Sequence, residues 1–285
     1  MTYENFTTLR VHVQDGVAWL TMDHPPVNVV DAPLSRDLKR FAETVATDEA
    51  VRVIVLQSAN PDYFAAHADM GWMLNAGTLM ELADPEADPG LNPLQQLNER
   101  MRTLPQVTIA KLRGRLRAGG AELAMTADMR FAATGHTWLS QPETRMGIFP
   151  GGGGTQYLNR LMGRARAIEV VLGAELFPAD LAERYGWVNR SIPDEELDEF
   201  VDALARRIAA LPAGVAQAAK QALDSAEASG PVPKLTEEAT AHSRVYPSPI
   251  AVVERIRVAI DAGAQTPAGE RDLEGLLDAV PYPAQ

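Results

Sequence analysis

Cysteine is missing from all 285 residues, so disulfides, thiolate nucleophiles and cysteine-ligated metals are excluded. Long apolar runs are missing too, and no stretch approaches the length that a bilayer-spanning helix needs. The opening MTYENFTTLR carries an acid and no apolar core, so it does not read as a signal peptide. A cytoplasmic protein is expected. Positive charge is scarce: 26 Lys and Arg face 38 Asp and Glu, a formal net charge of −12. That balance argues against a general nucleic-acid binder and against attachment to an anionic membrane. Histidine occurs five times, at His12, His24, His67, His136 and His242, without the helical spacing of metal ligands. No metal site is expected. The G-x-S-x-G elbow is absent, and the glycine run at 151–154 lacks the Lys-Ser/Thr of a P-loop. That run reads better as small residues letting a helix start close to another backbone.

What is present is a globular composition, 46% hydrophobic and 22% charged, with a length suited to one large domain or a core with an appendage. Such a chain buries a substantial core without staples. Apolar runs at 9–14 and 17–22 flank Asp15-Gly16 and predict a β-hairpin. Leu34, Leu38, Phe41 and Val45 share one face of a helix predicted over 33–47. Segments 51–56 and 107–112 read as strands, with ADPEADPGLNP at 83–93 between them as a surface loop or insertion. Helical patterns then cover 157–163, 165–173, 179–185, 195–210, 215–228, 248–262 and 270–277. An α/β core over 1–210 followed by a helical region over 211–285 is the expected organisation.

Residues 111–130 oppose the acidic trend, with Lys111, Arg113, Arg115, Arg117 and Arg130 against Glu122 and Asp128. Such a strip suits either a phosphorylated ligand or a solvated strand edge. Two segments place small residues where a helix begins: Tyr63-Phe64-Ala65-Ala66-His67-Ala68-Asp69-Met70, and Arg113-Gly114-Arg115-Leu116-Arg117-Ala118-Gly119-Gly120-Ala121-Glu122-Leu123. Free N–H groups at a helix start are preorganised anion donors, although tight packing of a turn explains either segment alone. Glu122 follows Gly119 by three residues and so projects from the same helical face. Glu143, in Ser140-Gln141-Pro142-Glu143, comes just before the glycine run. Spacing alone leaves both glutamates as solvated side chains.

In their order, these segments resemble the enoyl-CoA hydratase/isomerase (crotonase) family. The first is similar to its F-x-A-G-A-D-[IL] pattern, and the second to N-G-x-x-x-G-G-G-x-E-L. Gln141-Pro142-Glu143 and Met146-Gly147-Ile148-Phe149-Pro150-Gly151-Gly152-Gly153-Gly154-Thr155-Gln156 resemble P-E-x-x-x-G-[IL]-x-P-[GA]-x-G-G-[TS]-[QR], and His24-Pro25-Pro26-Val27-Asn28 also fits. The resemblance spans roughly residues 8–210 and implies a ββα spiral core with a helical C-terminal trimerisation region. It implies an oxyanion hole made by the backbone N–H groups of Ala68 and Gly119, with Glu122 and Glu143 as the acid–base pair. Coenzyme A would enter as part of an acyl-CoA substrate, with no separate cofactor, and Ala66 would contact it, while the basic strip itself offers Arg115, Arg117 or Lys111 to its phosphate or adenine end. A homotrimer or homohexamer is implied as well. The sequence departs from the pattern at His67, where the family has glycine, and at Ala118, the first glycine of the triplet. Lys111, Arg113 and Arg117 are charged where the family is not, and Tyr246-Pro247-Ser248-Pro249 departs from S-x-D-x-x-E-G.

The expected reaction is addition of water to a 2-enoyl-CoA, or its reverse. Isomerisation of the double bond is the alternative that needs a single carboxylate. A coenzyme A-independent cleavage of a β-diketone C–C bond, with His67 as an added acid or base in the pocket, is a third reading. A silent binding protein on the same fold is the fourth.

Overall fold

Asp15 and Gly16 both take positive φ, 51° and 78°, closing the tight turn between β1 (Leu9–Gln14) and β2 (Val17–Met22). The hairpin pairs antiparallel, with Leu9 opposite Met22 and Gln14 opposite Val17. The structure, a computed structural model, describes residues 2–228 and 250–280. Past the hairpin the sheet becomes parallel through β3 (Val53–Ser58), β5 (Val107–Arg117) and β6 (Met129–Ser140). β4 (Tyr63–Ala65) joins β5 in parallel, while β7 (Phe177–Pro178) and β8 (Arg190–Pro193) lie antiparallel and parallel to β6. Among the described residues this makes one sheet of eight strands. The architecture is a mixed α/β crotonase-type core, as the resemblance implies.

The central strands are apolar on both faces because both faces are covered. Ile54, Leu56 and Leu112 pack with Leu34, Leu38 and Phe41 of α1 (Ala32–Val45). Val53, Val55 and Ile109 meet a second layer instead. Between the two layers' coding regions the chain forms α2 (Gly71–Leu74), α3 (Ala76–Met80), α4 (Pro93–Arg102), α5 (Ala118–Met125), α6 (Gly154–Met162), α7 (Arg164–Gly173) and α8 (Ala179–Tyr185). The second layer is α9 (Asp194–Ala209), whose Leu197, Val201 and Ala205 cover those valines. Each such buried side chain contributes roughly 1.5–3 kcal/mol relative to exposure.

Two departures from the sequence reading have clear causes. β5 continues to Arg117 rather than ending at Leu112, because its alternating basic residues find partners on one side. Lys111 Nζ pairs with Asp198 at 2.6 Å, and Arg113 with Asp194 and Asp198 at 2.5 and 2.8 Å, all on α9. The strand bends at Gly114, whose φ of 72° and missing side chain let Asp62 lie against it. The surface loop expected over 83–93 is present, and it is tied down. Buried Asp84 pairs with Lys39 at 3.2 Å and with Arg100, and Asn92 and Gln95 form a capping box at the start of α4. Second, the helix predicted over 270–277 is two, α12 (Pro267–Glu270) and α13 (Leu273–Ala279), because the Asp272 carboxylate caps the second.

α10 (Val215–Ala228) and α11 (Ile250–Asp261) complete the helices. The helix predicted over 248–262 is described from Ile250 to Asp261, and 229–249, with the Tyr246-Pro247-Ser248-Pro249 segment, lies outside the described residues. Ile256 and Ala259 of α11 pack with Leu273 and Leu277 of α13 onto Met70, Met73 and Met146. The C-terminal helices therefore return to the segments in which the sequence placed the chemistry. No helix among the described residues is long and apolar enough to cross a membrane.

Candidate active site

The first donor segment leaves β4 at Ala65 and is pinned from below by Asn28. Asn28 is buried at a φ of 52°, and its Nδ2 donates to Phe64 O at 3.1 Å and Ser58 Oγ at 2.8 Å. Val30 N–H donates to His67 O at 2.8 Å, and Asp69 N–H donates to Val30 O at 3.1 Å. Ala68 sits between these two bonds, at an isolated parallel bridge, so its own N–H points to the opposite side. The second donor lies at the β5–α5 junction. Ala118 holds a φ of 46°, a left-handed conformation that costs roughly 1–2 kcal/mol for a residue with a Cβ. Next in line, Gly119 abuts Ala68: a Cβ on Gly119 would fall 2.7 Å from the Ala68 Cβ and 3.1 Å from its N. The two N–H groups are thus brought side by side, one of them in the first turn of a helix.

Glu122 lies on α5, one turn beyond Gly119, and is buried. Its Oε1 accepts from Gly152 N–H at 2.9 Å and Gly154 N–H at 2.8 Å. Neither glycine could carry a side chain without striking that carboxylate. Asn98 Nδ2 donates to Gly152 O at 2.7 Å and steadies the loop from α4. Glu143 stands in the first turn of a short 3-10 helix, Pro142–Met146, and is also buried. With the Gln141 amide oriented nitrogen-first, it donates to Glu143 Oε1 at 2.8 Å and Oε2 at 3.0 Å. Ala68, Gly119, Glu122 and Glu143 all line one cavity of about 240 Å³. Its other walls are mostly apolar, with Met70, Met73, Leu79, Ile148, Phe149 and Leu273 among them and His67, Asp69 and Asn92 as the polar exceptions. The site offers two amide donors and two carboxylates in one mostly apolar chamber, as proton transfer beside a carbonyl requires.

His67 borders this cavity, but both of its ring nitrogens face acceptors. Nδ1 lies 2.9 Å from Ala68 O and Nε2 lies 2.9 Å from Glu270 Oε1, so both must carry a proton. Burial pulls the imidazole pKa down, yet the charge and hydrogen bond of Glu270 and the Ala68 carbonyl hold it above its ordinary value. Burial likewise pushes the Glu270 carboxyl up, and His67, the Gln265 N–H and Arg117 bring it below the usual range. Arg117 is wholly buried, with Nε and Nη2 on the two oxygens of Glu274 at 2.7 and 3.0 Å. Its Nη1 faces Glu270 Oε2 at 3.6 Å. Among the described residues, no group of three or more His, Asp or Glu is placed to hold a metal ion.

A sequence profile described as enoyl-CoA hydratase/isomerase matches residues 12–255. The chain belongs to the enoyl-CoA hydratase/isomerase family. A candidate enoyl-CoA hydratase from Streptomyces avermitilis shares its structure with a TM-score of 0.91 and 48% identity, over 97% of this chain and 99% of that one. DspI of Pseudomonas aeruginosa aligns with a TM-score of 0.70 and 26% identity, covering 86% and 98% of the two chains. The fatty acid oxidation complex subunit alpha of Aliivibrio fischeri is 32% identical over 183 residues, 63% of this chain and 26% of that protein. The same subunit of Vibrio campbellii is 32% identical over 200 residues, 69% of this chain and 28% of that protein. The chain thus spans little more than a quarter of the length of these relatives.

Within this enoyl-CoA hydratase/isomerase member, the structure brings Ala68, Gly119, Glu122 and Glu143 together and separates the expected coenzyme A contacts from the cavity. Ala66 N–H donates to Val27 O, and Ala66 O accepts from Arg117 N–H, both at 3.1 Å, so its backbone is engaged internally. Arg115 stacks 4.9 Å above the Trp138 ring. Arg117 serves Glu274 and Glu270 rather than a phosphate, because burial forces its charge onto carboxylates within the chain. Lys111 and Arg113 answer α9 in the same way. Reading the glycine run as packing alone missed Gly152 and Gly154 as the N–H groups that hold Glu122. The signal available was their position after Glu143 in the motif. Glu270 and Glu274 were missed because nothing near them in the sequence marks a buried carboxylate.

Proposed function

We propose that the protein adds water across the double bond of a 2-enoyl-CoA thioester, or catalyses the reverse reaction. The observation that supports this most directly is the meeting of both glutamates and both unsubstituted donor positions in one apolar cavity. The thioester carbonyl oxygen sits against the N–H groups of Ala68 and Gly119. Water, losing its proton to one glutamate, bonds to the β-carbon, and the double-bond electrons move onto the carbonyl oxygen as an enolate. Each preorganised donor is worth about 2.7–4 kcal/mol at that stage. The enolate collapses as the second glutamate delivers a proton to the α-carbon, leaving a 3-hydroxyacyl thioester. Coenzyme A takes part only as a piece of the substrate.

Two carboxylates in the cavity favour hydration over isomerisation, which shuttles a proton with one. The engagement of both His67 nitrogens argues against its use as the acid or base of a β-diketone cleavage. The test is to run the reaction in isotopically labelled water with a panel of enoyl-CoA esters. The product is expected to carry one solvent oxygen on the β-carbon and one solvent hydrogen on the α-carbon. A shifted double bond without solvent oxygen would replace hydration by isomerisation. Assembly as a homotrimer or homohexamer belongs to the same proposal, and light scattering that finds a stable monomer would remove it.

A further inference from the structure

His67 lies one residue before Ala68, just past the end of β4, and Arg117 lies two before Gly119, at the end of β5. Both send their charge to one place, the carboxylates of Glu270 at the end of α12 and Glu274 in the first turn of α13. His67, Arg117 and Glu270 are 2%, 0% and 0% exposed, and the Glu274 side chain 14%. Two cations thus meet two anions out of water. Resting on the oxyanion-hole reading above, we infer that Glu270 and Glu274 are positioning residues that set the two donor segments against each other through His67 and Arg117.

The sequence departs from the family pattern at both cationic positions, and the structure shows the two departures to be one feature. A histidine in place of glycine beside Ala68 gains an anchor only if a carboxylate reaches it, and Glu270 does. The anchor is directional. His67 Nδ1–H grips the Ala68 carbonyl while Nε2–H grips Glu270, so the ring fixes the peptide that follows the first donor. Arg117 donates its N–H to Ala66 O, and its guanidinium is held by both oxygens of Glu274. A planar fork on a carboxylate fixes orientation as well as distance. Leu273, between the two glutamates, completes the cavity wall, so the same pairing that orients the donors seats the wall against the acyl chain. A donor displaced by a fraction of an ångström loses much of its effect on the developing oxyanion.

Glutamine at 270 tests this without changing the side chain's size. Oε1 accepts from both His67 Nε2–H and Gln265 N–H, the latter at 2.7 Å, and Oε2 faces the Arg117 guanidinium. Either orientation of the amide turns its NH₂ towards a donor. The experiment uses the full chain carrying Glu270→Gln or Glu274→Gln, each shown to be folded by circular dichroism. It measures kcat and KM on an enoyl-CoA, and the carbonyl stretching band of a bound, saturated acyl-CoA. Glu270→Gln is expected to lower kcat about tenfold or more, and Glu274→Gln about threefold, because reacting groups are misplaced rather than removed. KM should stay within about twofold, and the carbonyl band should move back towards that of the free thioester. A folded variant that melts earlier but keeps the wild-type kcat and band would make these residues mere docking groups and overturn the inference. If Glu270→Gln fails to fold, Glu274→Gln decides by the same readings. A wild-type protein whose bound thioester shows no band shift would overturn the oxyanion hole itself, and this inference with it.

Discussion

Glu143→Gln and Glu122→Gln are each expected to lower kcat by about 10²- to 10⁴-fold, the range for loss of a positioned acid or base. The melting temperature should change little, because each site can accept an amide. Glutamine at 122 can place its oxygen on the N–H groups of Gly152 and Gly154, which already share a single carboxylate oxygen. Glutamine at 143 keeps one oxygen within reach of the Gln141 nitrogen, which in the native protein donates to both carboxylate oxygens. What neither variant can do is take a proton from water or return one to carbon. Steady-state hydration of the best enoyl-CoA ester, with thermal melts of the same samples, gives the result. A folded variant at the wild-type rate would remove that glutamate from the chemistry. Loss at Glu122 with full activity at Glu143 on a double-bond-shifting substrate would point to isomerisation.

The hairpin, the first helix, two central strands and the later helices were legible because burial leaves a periodic trace, whereas the short β4, β7 and β8 and the helices α3 and α4 were not read. The hairpin about Asp15-Gly16, the face of α1 and the doubly apolar β3 all follow from local pattern and turn chemistry. The second half of β5 was not, because Lys111 and Arg113 read as solvent-facing until α9 supplies Asp194 and Asp198 from more than 80 positions away. Site residues divide in the same way. Spacing put Glu122 and Gly119 on one helical face, but only the motif resemblance separated Glu122 and Glu143 from ordinary surface glutamates. The partners of His67 and Arg117 lie more than 150 residues further on, in short helices whose sequence carries no signal of burial. Periodicity reports what an element buries. It does not report which distant charge a buried charge will meet.

The glycine loop gives the second large effect. Gly152→Ala is expected to lower kcat about 10²-fold, the scale on which a catalytic group displaced by about 1 Å fails. Gly152 does not need positive φ, so its backbone tolerates alanine, and the added methyl group acts through what it touches. That methyl would overlap Glu122 Oε2 and crowd Asn98 Nδ2 at 3.2 Å. Of these, the glutamate side chain is the part able to move, and moving it leaves the Gly152 and Gly154 N–H groups without their acceptor. An unsatisfied buried donor costs about 1–3 kcal/mol, so a modest fall in melting temperature should accompany the loss of rate. Gly173→Ala is the control: it ends α7 with open space around its Cβ position, and should stabilise by about 0.4–1 kcal/mol without touching the rate. The decisive measurement is the double variant Glu122→Gln with Gly152→Ala. If Gly152 acts only by aiming Glu122, the double variant runs no slower than Glu122→Gln alone, because there is no working carboxylate left to misplace. Rate losses that multiply would mean that Gly152 serves the reaction by another route, and the loop would then have to be reconsidered as a direct contact for substrate.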